Sequence, residues 1–131
     1  MHELPIQSGD DVVRVRQQVR VVAAQSGLSL VDQTKVITAA SELARNALIH
    51  GGGGTARVEV ITSAHGRSGV RIDFTDDGPG IADIDLALTD GWTSGDGLGL
   101  GLSGARRLVD EFELNSKPGG GTSVVVVKWS R

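Results

Sequence analysis

Gly95-Asp-Gly-Leu-Gly-Leu-Gly-Leu-Ser-Gly104 runs directly into Ala105 to Phe112, a segment of helical periodicity with Leu108, Val109 and Phe112 turned inward. Alternating glycines free several backbone N–H groups, and the start of a helix adds its dipole, so a phosphate chain is a natural ligand for such a loop. The plainer reading is a flexible glycine loop. Gly99-x-Gly101-x-x-Gly104 has the form of the dinucleotide fingerprint. However, no strand is expected before it, and the strand expected after it carries no acid at its end. Gly-Lys-Ser/Thr occurs nowhere in the chain, which excludes a P-loop.

Upstream, Asp76-Asp-Gly-Pro-Gly80 breaks the chain at the end of a strand expected to be central. The carboxylate of Asp76 would stand at that strand end, where Gly78 and Gly80 let a planar ligand approach the backbone. An ordinary Asp-Gly turn would look the same. Further back, Ser41-Glu-Leu-Ala-Arg-Asn46 lies on a helix with Glu42 and Asn46 one turn apart on a shared face. A carboxylate and an amide oxygen so placed can act as a base and a hard-metal ligand, or be a solvated polar pair. Downstream, Gly119-Gly-Gly-Thr122 precedes the last strand and by itself is a hairpin turn.

The rest of the chain supports this core. Ser29-Leu-Val-Asp32 has the form of a capping box opening the Glu42 helix, whose stripe is Val36, Ile37, Ala40, Leu43, Ala44, Ala47 and Leu48, with Gly51 as its stop. An earlier helix carries Val12, Val15, Val19, Val22 and Ala23 inward and Arg14, Arg16 and Arg20 outward. His2 to Ile6 reads as an edge strand, Ala56 to Ser63 and Val70 to Asp76 as a hairpin, Asp83 to Thr89 as a short helix, and Thr122 to Trp129 as the final strand. The expected fold is α+β, a two-layer sandwich of a mixed β-sheet with helices on one face, in a single domain over residues 1–131.

Composition narrows the function. Lys and Arg total 13 against 16 Asp and Glu, a net charge of −3, which argues against a binder of nucleic acid by broad phosphate neutralisation. The chain has no cysteine, so thiolate metal sites and thiol catalysis are excluded. Its three His show no paired-ligand spacing. No apolar run is long enough to cross a bilayer and no signal-peptide pattern is present, so a cytoplasmic protein without a membrane role is expected. From Ile72 to Ala105 there are seven Asp and no Lys or Arg, as suits a segment that faces water or handles a cation.

The four motifs, in this order and spacing, resemble the GHKL (Bergerat-fold) ATP-binding family over most of the chain, Glu42 to Thr122. Ser41 to Asn46, Asp90-Gly-Trp-Thr-Ser94, Arg107-Leu-Val-Asp-Glu-Phe112, Leu114-Asn-Ser116 and Lys128-Trp129 are similar to the RsbT-like serine/threonine protein kinases, a group close to the anti-sigma-factor kinases. The resemblance implies that Asn46 holds Mg²⁺ and Asp76 takes the adenine amino hydrogen bond, supported by Thr122. It further implies that Gly97, Gly99 and Gly101 bring N–H groups to the ATP phosphates, that Glu42 takes the proton of the attacking hydroxyl, and that residues 81–96 form a lid. No Lys is placed as an obvious phosphate clamp, and His50 or Arg45 could approach instead. The implied partners are STAS-domain proteins of a stressosome-like complex, as substrate and scaffold, with a downstream PP2C-type phosphatase as a further candidate. None of the three His lies on a candidate dimerisation helix, which disfavours a histidine kinase. An ATP-binding module of the anti-sigma-factor type, which sequesters its target, is the alternative.

Overall fold

The computed structural model describes residues 1–80 and 101–131. Helix α1 (Gly9–Gln25) starts where the Ser8 hydroxyl accepts the Asp11 N–H, satisfying one of the donors that a helix leaves unpaired at its beginning. Its expected stripe, Val12, Val15, Val19, Val22 and Ala23, is buried throughout. Ser29 caps α2 (Leu30–Ile49) in the same way, accepting from Asp32 N at 3.1 Å. Beyond its end, Gly52 and Gly53 adopt φ of +72° and +113°, and the Gly53 N–H returns to the Ala47 carbonyl. That reversal needs glycine, because side chains disfavour positive φ.

The strands are β1 (His2–Ile6), β2 (Gly54–Thr62), β3 (Ser68–Asp76), β4 (Glu111–Ser116) and β5 (Thr122–Trp129), with α3 (Gly101–Arg107) before β4. They form one sheet in the order β1-β2-β3-β5-β4. β3 is therefore central and β1 an edge, as the sequence suggested. The architecture is α+β, but all four described pairings are antiparallel where a mixed sheet was expected. β3 and β4 do run the same way, as strands joined across a helix should, yet β5 lies between them and no parallel ladder forms.

The helix expected over Ala105 to Phe112 also ends early. α3 stops at Arg107, the Asp110 N–H already bonds to the Val127 carbonyl, and Phe112 stands opposite Val126 in β4. Leu108, Val109 and Phe112 still pack against the core, the last from a strand. The expected helix at Asp83–Thr89 lies outside the described residues.

One row of the sheet, Val58, Ile72 and Val126, is fully buried and sits in the same core as α1 and α2. In β5 the inward alternation Val124, Val126 continues to Lys128, which is only 3% exposed. Its ammonium lies 3.3 Å from Asp110 and 3.7 Å from Asp32, and the Arg131 guanidinium lies 3.4 Å from each of those carboxylates. Asp32 was expected as the acid of a capping box; its N–H is capped, while its carboxylate ties α2 to the end of β5. No helix among the described residues is long and apolar enough to cross a membrane.

Candidate functional site

The register aligns Gly54, Asp76, Thr122 and Ser116 in one cross-strand row at the end of the sheet. Phe74, Val124 and Leu114, two residues away on their strands, point into the core, so Asp76, Thr122 and Ser116 project on the helix-covered side. The C-terminal end of α2 comes down onto this row. A Cβ on Gly51 would fall on the Asp76 carboxyl group, one on Gly78 would come within 2.5 Å of the Gly51 Cα, and one on Gly121 would strike the Asp76 carbonyl. Glycine at these positions lets three distant segments meet at backbone distance. Two bonds close the junction, Gly121 N–H to Gly78 O at 3.1 Å and Gly119 N–H to Pro79 O at 2.6 Å. Gly80, at φ +76°, rests against the Lys117 carbonyl.

Asp76 is the charged group at the centre. Burial pushes its carboxyl above the usual aspartate range; the N–H groups of Gly78, at 2.9 Å, and of Thr122 oppose the rise, and the nearby Asp77 adds to it. A carboxylate so poised gains from any further hydrogen-bond donor brought to it.

Glu42 and Asn46 stand one turn apart on α2, which packs against both α1 and α3. Both are half-buried, and the Glu42 side chain is 14% exposed with Arg45 at 4.0 Å, so this is not a freely solvated pair. The Asn46 carbonyl accepts the His50 and Gly51 N–H groups, placing Asn46 one turn above the glycine that rests on Asp76. Gly101 is the first residue of α3, at φ +70°. Gly97, Gly99, Asp90 to Ser94 and the expected lid over residues 81–96 lie outside the described residues. Among the described residues no three His, Cys, Asp or Glu side chains converge to hold a metal ion.

Two participants escaped the sequence reading. Gly51 looked like a helix stop, although a run of four glycines after the Glu42 helix signals close backbone approach. Ser116 lies within 3.0 Å of the Gly121 carbonyl and 2.9 Å of Thr122 Oγ1. Its signal is a serine placed to face Thr122 across a short turn.

Residues 31–130 match the model of the histidine kinase-, DNA gyrase B- and HSP90-like ATPases, and the chain belongs to that family. Serine/threonine-protein kinase RsbT of Bacillus subtilis (strain 168) is 45% identical over 121 residues, covering 92% of this chain and 90% of that one. With that likeness over nearly the full length of both, the chain is an ATP-using serine/threonine protein kinase. An anti-sigma F factor of Thermoanaerobacter sp. (strain X514) is 30% identical over 117 residues, 87% of this chain and 82% of that one. The structure of the RsbU and RsbW domains of Rv1364c from Mycobacterium tuberculosis superposes with a TM-score of 0.65 at 23% identity. It covers all of this chain, which spans 33% of that longer one, and the likeness shows the fold.

Proposed function

We propose that residues 1–131 act as one kinase domain in the cytoplasm, moving the γ-phosphoryl group of ATP to a Ser or Thr of a STAS-domain partner in a stressosome-like, partner-switching complex. The observation that carries this reading is the half-buried, proton-favouring carboxylate of Asp76 beside Thr122, resting on the glycine one turn below Asn46. The adenine amino group would donate to Asp76, with Thr122 supporting the contact; Gly78 and Gly80 would serve it by close backbone packing, because a Cβ on either meets Gly51 or Lys117 and not open space. Gly97, Gly99 and Gly101 would turn N–H groups to the phosphates. Asn46 would hold Mg²⁺, which when bound offsets phosphate charge that the acidic, Lys-free and Arg-free stretch from Ile72 to Ala105 cannot. Glu42 would accept the proton of the partner's hydroxyl as its oxygen bonds to phosphorus and ADP leaves.

Likeness to an anti-sigma F factor supports a second reading, in which nucleotide shapes a surface that sequesters a partner. In the kinase reading, and not in this one, a downstream PP2C-type phosphatase would be a further partner of the released chain. Incubation with labelled ATP and STAS-domain proteins of the same genome separates the readings. Label on a partner Ser or Thr, lost with Glu42→Gln, is the expected result. Stable partner binding with no label at any time would establish the sequestering module instead.

A further inference from the structure

We propose that Ser116 fixes the direction of the Thr122 hydroxyl hydrogen and thereby makes the site select a purine with an amino group, not a carbonyl, at C6. The proposal rests on the reading of Asp76 and Thr122 as the adenine contact. Ser116 Oγ is 3.0 Å from the Gly121 carbonyl oxygen and 2.9 Å from Thr122 Oγ1. A carbonyl only accepts, so the single Ser116 proton goes to Gly121. The second contact can then form only if Thr122 donates to Ser116. The Thr122 proton is thereby committed to the protein, and towards a ligand this hydroxyl presents lone pairs.

Next to it in the row, Asp76 offers a carboxylate, which also only accepts. Two adjacent acceptors match the two hydrogens of an amino group and repel a carbonyl oxygen. Were Thr122 free to rotate, it would donate to a carbonyl as readily as it accepts from an amine, and half of the discrimination would vanish. Ser116 is thus a positioning residue. It acts through the Thr122 hydroxyl.

The test compares ATP with inosine triphosphate, which carries oxygen in place of the amino group at C6, by calorimetry with Mg²⁺ on the full chain. The wild type should prefer ATP. Ser116→Ala should narrow that preference roughly tenfold, mainly by a gain in inosine triphosphate binding, and Ser116→Thr should keep it. Thr122→Val should also narrow it, through weaker ATP binding. A wild-type chain that binds neither nucleotide would sink the adenine reading and this proposal with it. A wild type that prefers ATP while Ser116→Ala weakens both nucleotides equally, or leaves their ratio unchanged, would overturn the proposal alone. If Ser116→Ala does not fold, Thr122→Val decides: an unchanged ratio there overturns it as well.

Discussion

Asp76 occupies a place that disfavours its own charge, and under the proposed adenine contact that has opposite effects on the empty and the loaded protein. Because burial raises its pKa, the folded chain holds this proton more tightly than the unfolded chain between the ordinary aspartate value and the raised one. Folding stability from this group therefore falls as pH rises through that interval, and the full penalty is present above it. Asp76→Asn should raise the melting temperature of the nucleotide-free chain near pH 7, with the gain fading as pH falls through the interval. The same change should weaken ATP binding by roughly ten- to a hundredfold, because an amide can present a donor where an acceptor is needed. Calorimetry and a pH series of melting curves check the two halves. Glu42→Gln should behave differently, reducing phosphoryl transfer by roughly 10²–10⁴-fold while ATP affinity holds. Asn46→Ala should lose Mg²⁺-dependent ATP binding together with transfer, which a filter assay with and without chelator would show.

Among the elements, α1, α2 and the β2–β3 hairpin were legible because long amphipathic patterns with caps leave few alternatives. The α3–β4 region was not, since Leu108, Val109 and Phe112 suit a helix or a strand and only pairing with β5 distinguishes them. The charge cluster of buried Lys128 and Asp32 with the exposed Asp110 and Arg131 was missed too. Its sign in the sequence is a lysine at the inward position after Val124 and Val126, which demands an acid from elsewhere in the fold. Lys128→Met should leave Asp32 buried with only Arg131 beside it and destabilise the chain by on the order of 3 kcal/mol, read as a lower urea midpoint. On α1, Arg14 is bound to Asp11 at 2.7 Å, whereas Arg16 and Arg20 are exposed and make no ion pair among the described residues. If that face docks an acidic partner surface, reversing both charges to Glu should weaken partner capture most at low salt and leave ATP affinity alone.

At the scale of the whole molecule, the order of four short motifs carried more information than any one of them. Asp76 with its glycines, and Gly121-Thr122, are far apart in sequence but lie at the ends of adjacent strands, and α2 meets them through Gly51. Spacing could suggest that convergence; only the register showed that Ser116 belongs to the same row. ATP with Mg²⁺ at a hundred times its dissociation constant should add about 2.7 kcal/mol of stability, seen as a higher melting temperature that excess chelator abolishes.

Asp76 and Thr122 belong to β3 and β5, each of which is paired on both flanks within the sheet. Strands enclosed in this way give up their amide hydrogens to solvent mainly when the whole domain opens, not by fraying. Deuterium uptake along Ile72 to Phe74 and Val124 to Val126 should therefore be among the slowest in the chain, and nucleotide should slow it further only through global stability. If Asp76 and Thr122 hold the adenine as proposed, that end of the site is an anvil already set before the ligand arrives, and little ordering entropy is spent there on binding.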